Sequence, residues 1–581
     1  MAELKRVKLM RGNEASRLSV IPAQGEQIST IDELKLYLGD GNKAGGFIVN
    51  ADNTIAVWPD QTDATKKLSL AWWIAYFNGE EATIRIPRGT HEVIYDMTVP
   101  ENICLKFDKG AILKVADTKT LTINGAIEAG LWQIFDGFGT ITGTANVSEI
   151  YVEWFGADYT DDTDAFIKAA AFSISSDVPL ALQNKTYKLF EASLTEAFKT
   201  ANSYSITYKI PVGSILGKSK TVVNLTGLLG FNTSNVRSIQ IENIKFVIKE
   251  HIYTEDGPSS GGHGYVFTDA DTPRVLKDNI VYRNLEFIAE VTNPDDFATL
   301  EAGPSAIREY CNKGIFENIM VTDMATGITV NTDNLGGNYT ISNCSFYNID
   351  TALWTGGSNY IVSDIKAINN YYRQFIWVNK NTGTENNGKD LCLCSGINYT
   401  LQNLYAEALA ERCVYSQGSN VVVDNLTAVN TSGFKFVGQG EDSIAKNVRV
   451  NNAKMIVETD IYSKVKLSGY EFSALYWIDD IQFSNCQLIN NNVNLAVGLS
   501  GSAGVFWCSA TNGVKNLTVK DSVFMGYHIR GVVSTVLSSL VGGAASDYLR
   551  VENVKIERCR VIGTGVDMVA FYTPYTNQAS T

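Results

Sequence analysis

The chain has 581 residues, 45% of them hydrophobic, and a formal net charge of −14. That is material for a large core and more than one domain, while the acidic balance argues against nucleic acid or an anionic membrane as partner, since either rewards a basic face. No apolar run approaches the ~20 residues that span a bilayer, and the start MAELKRVKLMRG lacks the apolar stretch of a secretory signal, so synthesis and folding in cytoplasm are expected.

Residues 1–46 predict a small β module, with two short strands around the Gly39-Asp40-Gly41 turn. Residues 47–153 carry turn-rich β segments, IRIPRGTHEV, VPENICLKFDKGAILKV and LTINGAIEAGLWQIFDGFGTI, which read as entrance coils. WFGADYTDDTDAFIKAAAFS then places Asp161, Asp162 and Asp164 at the start of a short Ala/Phe-rich helix over 161–173, where carboxylates satisfy free amides. That helix is expected to plug the end of whatever follows.

From Asn235 onward one phrase returns: Asn, alternating apolar residues, then Asn or Asp before a small or apolar residue. Examples are NVRSIQIENIKF, NYTISNCSF, NVVVDNLTA and NVKIERCRV. Aligned on the second polar position, the anchors are Asn243, Asn284, Asn318, Asn343, Asp364, Asn403, Asn425, Asn452, Asn485, Asp521 and Arg558. The tightest intervals, Asn343 to Asp364 and Asn403 to Asn425, are 21 and 22 residues, enough for one coil of short strands. A unit that short cannot bury its own apolar residues, so units must stack, and the strand-like alternation makes the stack an all-β solenoid, a parallel β-helix over 154–565. Asn suits the recurrent bend because it tolerates left-handed backbone angles and its amide can bond its counterparts above and below. Wider intervals, such as the 39 residues from Asp364 to Asn403, mean a coil with an added loop, where repeat proteins bind or react. A short tail, 566–581, ends the chain.

Nine scattered cysteines, several at apolar coil positions, read as reduced core thiols. Cys392-Leu-Cys394 could hold a metal, but no second ligand pair follows at suitable spacing and the chain has four histidines, so no metal is expected. No GxxxxGK[ST], GxSxG or HExxH occurs, and no cofactor is called for.

Two stretches carry a resemblance. Arg11-Gly12, Gly25-Glu26, Leu36-Tyr37 and Gly39-Asp40-Gly41 through Gly45-Gly46 resemble the N-terminal module of phage tail fibres and major tropism determinant proteins. Trp154-Phe155-Gly156-Ala157 followed by Asp161-Asp162-Thr163-Asp164-Ala165 resembles the pectate-lyase-like β-helix of phage tailspikes. The resemblance implies a right-handed helix, a homotrimer carried on the virion tail through residues 1–46, and a bacterial surface polysaccharide as the partner that is bound and usually cleaved.

Counting equal offsets from the anchors brings distant residues onto neighbouring coils about 4.8 Å apart. Tyr372 and Glu411 lie eight past Asp364 and Asn403, Arg373 and Arg412 nine past, Asp350 and Tyr371 seven past Asn343 and Asp364, and Glu407 four past Asn403. A glycan-cleaving enzyme needs such an inventory: two carboxylates as acid and base or nucleophile, aromatic faces for sugar rings, and Arg for acidic sugars. Glu407, Glu411 and Asp350 are the catalytic candidates; Tyr371, Tyr372, Arg373, Arg412 and Trp377 the substrate-binding ones. Hydrolysis is expected, with β-elimination by a Tyr or His263 base, or a non-cleaving receptor-binding fibre, as alternatives. Arg308-Glu309-Tyr310 offers a second set, and Trp354 and Trp507 are further sugar platforms.

Overall fold

The structure is a computed structural model. It describes residues 69–563 except 205–206, 235, 250–263, 270–275, 291–303, 332–335, 350, 370–375, 379–384, 388–389, 408–411, 439–445, 459–469, 475–477, 492–505, 509–512, 527–529 and 536–549, together with 569–572 and 10–24, 26–30, 36–38, 44, 47–48 and 54–56. Two compact units result, one of residues 1–148 with 153–156, the other of 149–152 with 157–581.

In the first unit, strands Met10–Gly12, Gln27–Thr30, Leu36–Leu38 and Phe47–Ile48 form one small sheet; the Gly-Asp-Gly turn lies outside the described residues. Sequence reading missed a helix, Leu70–Phe77, whose Ser69 Oγ accepts from Trp72 N–H at 3.0 Å and which buries Leu70 and Trp73. The entrance coils are a short parallel β-helix: Ala82–Ile86 pairs with Ile103–Phe107, Gly89–Val93 with Ala111–Val115 and Met97–Val99 with Thr120–Ile123.

The second unit winds 31 strands into one continuous, almost wholly parallel sheet, a right-handed parallel β-helix. Its helix Thr163–Ser176 runs three residues past the predicted end. Asp161 Oδ1 accepts from Thr163 N–H, but Asp162 ties Tyr159 N–H (2.8 Å) and Lys188 N–H (2.9 Å) instead of the helix's own amides.

All eleven anchors sit at positive φ, from 51° at Asp521 and Arg558 to 61° at Asn243. This single left-handed residue turns each strand from a first face onto a second, as Ser238–Lys249 does at Asn243. Most of these Asn then donate the amide to the anchor one coil earlier: Asn284 to Asn243 (2.9 Å), Asn318 to Asn284 (3.0 Å), Asn403 to Asp364 (2.9 Å) and Asn425 to Asn403 (2.8 Å). A parallel ladder guards the bend from the third face to the first, where Asn398, Asn420 and Asn447 bond in series, also at positive φ. Inside, Tyr339, Tyr360 and Tyr399 stack at 4.8 and 4.7 Å with their planes 5° apart, so the rings take the rung spacing itself. Among the described residues the cysteines are free, six of them buried, and burial pushes the Cys311 and Cys344 thiols up to about 12.

Lys209 is a core lysine whose ammonium donates to the Tyr265 carbonyl, and burial lowers it from 10.5 to about 7. The unfolded chain therefore holds a proton between about pH 7 and 10.5 that the folded chain lacks, so this group makes stability rise with pH across that window. Lys209→Met is expected to stabilise the protein by about 2 kcal/mol or more at pH 7, with the gain over wild type shrinking toward pH 10.5 in denaturant titrations. A pH-independent difference would contradict this assignment.

At the ladder, Asn318→Ala is expected to cost about 2 kcal/mol, since Ala at φ 56° adds a steric penalty to the lost side-chain bonds. Asn318→Gly should cost about half as much, because Gly tolerates that angle. Equal unfolding rates of the two variants in guanidinium would show that backbone conformation is not what Asn supplies.

Candidate functional site

The three corners are unequal. The first is one anchor residue per coil, whereas the corner from the second face to the third accommodates excursions of very different length. Strands Ser238–Lys249 and Tyr265–Thr268 bracket residues 250–264, and Asn279–Ala289 and Ser305–Glu309 bracket 290–304. Only 323–325 and 348–350 separate the next two pairs, and 369–389 intervene between Ile361–Ile368 and the strand that opens at Asp390. By sequence position, every catalytic and substrate-binding candidate falls at this corner or in its excursions.

Glu407 is the one whose side chain is described. It closes the strand Asp390–Glu407, pairs in register with Ile368 and Val429, and points outward because Ala406 beside it is core. Its carboxylate accepts from Tyr405 OH at 2.7 Å, and it is half-buried. The outward column it belongs to runs Val247, Ile288, Thr322, Tyr347, Ile368, Glu407, Val429, Ile456, Ile489, Met525 and Ile562, rung on rung. From Val247 to Ile562 Glu407 is the single charge in a mostly apolar stretch that also holds Thr322; one and two rungs before Val247 the column continues through Asn224 and Lys188.

Equal-offset counting holds as far as Asn369, whose N–H donates to the Glu407 carbonyl at 3.1 Å, and fails after it. The residue in register with Arg412 is Asp390, not Arg373, because the coil leaves the solenoid after Asn369 and rejoins it at Asp390. The excursion therefore precedes Asp390 and does not extend to Gly396, which is part of the strand. Within it, Ile376–Val378 pairs antiparallel with Glu385–Asn387, so the Trp377 backbone sits in a separate two-stranded ribbon opposite Asn386. The Arg412 backbone opens the strand Arg412–Val429 on the third face. Asp350, Tyr371, Tyr372, Arg373 and Glu411 lie outside the described residues, as does His263.

The second set resolves differently. Glu309 is fully buried and accepts from Lys277 Nζ (2.6 Å), Tyr282 OH (2.6 Å) and Thr233 Oγ1 (2.7 Å), and Lys277 also reaches Asp269 at 2.9 Å. Burial pulls the Lys277 ammonium down, but Glu309 and Asp269 together outweigh it and hold it above its ordinary value. Burial, then Glu309, pushes the Tyr282 phenol well up. This is a satisfied interior network with no room for substrate, and Asp269 belongs to it, not to a loop over a groove. Sequence reading missed Lys277, whose Leu-Lys-Asp setting gives no sign that its side chain turns inward. Arg308 instead faces out from the third face, its guanidinium 5.6 Å from the Tyr265 ring centre and its Nη2 3.0 Å from Tyr310 OH.

No protein-family model matches the chain, and no curated protein does. Among solved structures it is similar to the catalytic unit of a thermostable α-1,3-glucanase of glycoside hydrolase family 87 from Streptomyces thermodiastaticus, at 10% identity over 74% of this chain and 70% of that one, with a TM-score of 0.32. It is also similar to a family 28 exopolygalacturonase from Yersinia enterocolitica (10% identity, 73% and 80% covered, TM-score 0.31) and to the Streptococcus pneumoniae adhesin PfbA (12% identity, 72% and 99% covered, TM-score 0.28). Likeness at this level leaves the chemistry to be argued from this chain's own residues.

Replacing Glu309 by Gln should cost about 3 kcal/mol, because Lys277 then stays buried with a single carboxylate. Denaturant unfolding measures it, and a loss under about 0.5 kcal/mol would mean that the network is not structural.

Proposed function

We propose that this protein binds and cleaves a bacterial surface polysaccharide by glycosidic hydrolysis, acting as a homotrimeric phage tailspike attached to the virion tail through residues 1–46. The observation that carries the reading is Glu407: one carboxylate, oriented by Tyr405 OH and flanked on adjoining rungs by Ile368 and Val429, at the corner where the excursions leave. A surface stripe of this kind gains nothing in stability from a charge, whereas a general acid or base needs a carboxylate held at a fixed angle beside an apolar wall. Glu411 and Asp350, which precede the third-face strands at Arg412 and Thr351, supply the second carboxylate of the pair that glycoside hydrolysis requires. Arg412, with Tyr371, Tyr372, Arg373 and Trp377 from the excursion, supplies contacts to sugar. The phage assignment rests on the resemblance of the N-terminal and Trp154–Ala165 motifs.

The test is new reducing ends released from purified capsular and O-antigen polysaccharides. Glu407→Gln and Glu411→Gln are each expected to lower the rate about a hundredfold or more while the protein keeps its unfolding profile. Wild-type rates in both would discard this pair. Products absorbing as unsaturated uronates would replace hydrolysis by β-elimination, and binding without any product would leave a receptor-binding fibre.

A further inference from the structure

The third face begins at the same corner and carries a second outward column. Register places Thr268, Arg308, Thr329, Trp354, the backbone of Leu393, and Tyr415 on successive rungs. They face away from the core because their neighbours Ile307, Ile328, Leu353 and Val414 fill it. Arg308, Trp354 and Tyr415 therefore recur every second rung, about 9.6 Å apart along the solenoid axis.

Each of these positions is unusual for a β-helix exterior. Trp354 is 39% exposed, although a Trp on a strand is ordinarily covered. Tyr415 is half-buried, with its hydroxyl accepting from Gln417 Nε2 at 3.0 Å, which fixes the ring on the surface. Arg308 is held against Tyr265 and Tyr310, with Nε and Nη2 on the Tyr310 hydroxyl at 3.2 and 3.0 Å, so the fork is oriented before anything binds. Between Arg308 and Trp354, Thr329 is 1% exposed, so it offers no surface to a ligand and the contacts fall to the larger side chains on either side.

We propose that this column is an extended subsite for a linear acidic glycan lying parallel to the solenoid axis, with sugar faces on Trp354 and Tyr415 and a carboxylate or sulfate on Arg308. It deepens the polysaccharide reading by assigning the substrate a negative charge and a direction. Stacking takes the apolar face of a pyranose, and a preoriented guanidinium favours a planar anion over a neutral hydroxyl. The regular two-rung pitch suits a repeating polymer better than a compact ligand.

The experiment measures binding of the intact protein to immobilised polygalacturonate, alginate and heparin, and to the two uronates after carboxyl reduction, at low and high salt. At least one acidic polymer should be retained, with affinity falling as salt rises. Arg308→Gln should weaken it about tenfold or more, and Arg308→Lys should restore only part, since the fork is lost. Trp354→Ala should weaken binding to the same polymer by a comparable factor. Retention of none of the three, retention unchanged by carboxyl reduction where a uronate is the polymer bound, or unaltered affinity in both variants would overturn the proposal. Cleavage is scored separately: if Arg308→Gln still releases reducing ends from a neutral glycan at wild-type rate, hydrolysis stands and this subsite falls. If acidic polymers bind through Arg308 and none is cut, the subsite stands and the catalytic reading falls.

Discussion

One left-handed residue per coil, with a side-chain amide that can give and take a hydrogen bond, is the constraint on which the rest depends. A carboxamide has both a donor and an acceptor, so a column of Asn can be hydrogen-bonded end to end without any net charge. The departures obey the same bookkeeping. Asp364 accepts from Asn403 but has no proton for Asn343, and Asn452 donates to Asp424 (2.8 Å) instead of its own counterpart Asn425. At the far end Asp521 is followed by a residue with donors only: Arg558 bridges its two carboxylate oxygens at 2.6 and 2.7 Å. That bond lowers the Asp521 carboxyl and offsets the strain of an Arg at φ 51°. Because this corner admits no insertion, register is re-established on every coil, and the opposite corner is free to accept excursions without shifting the columns.

This division explains what could be read from the sequence. The eleven anchors were legible because a left-handed bend restricts the residue types allowed there, and the restriction recurs at a period that composition cannot mimic. Fold class, coil register and the direction of Glu407 all follow from it. Register beyond the bend was not legible. Counting from Asp364 assumes unbroken chain, but pairing is decided by which strand next offers a free edge, and after Asn369 that strand opens at Asp390. Arithmetic set Arg373 beside Arg412, whereas the residue in register with Arg412 is Asp390, and Arg373 lies outside the described residues. The helix Leu70–Phe77 was missed for a related reason: LAWWIAYF is apolar almost throughout and gives no period, and only the cap at Ser69 marks its start.

The same distinction separates the two acidic groups on this part of the solenoid. Glu309 and Asp269 look functional in sequence because they sit among Arg, His and Tyr. Their side chains are enclosed, and Glu309 is matched by three donors, one of them a lysine brought in from the preceding turn. A carboxylate so satisfied has no capacity left for a substrate proton. Glu407 is half-buried and accepts a 2.7 Å bond from a phenol two residues away on its own strand. That bond fixes the carboxylate's orientation at the corner where the excursions leave.

The arrangement also bears on how a solenoid can evolve a site without loss of stability. Stability here is additive over rungs, each supplying its ladder bonds and core contacts. An outward residue on the second or third face contributes little to that sum, so a charge at position 407 or an arginine at 308 is tolerated on a rung whose inward neighbours, Ala406 and Ile307, are fully buried. The interior polar groups are different, since Lys277 or Lys209 must be compensated locally or destabilise the coil that holds them. Outward columns are thus where chemistry can change while the fold persists, as the two columns flanking the excursion-bearing corner illustrate: one sets an acid between Ile368 and Val429, the other carries Trp354 and Tyr415 with a held arginine.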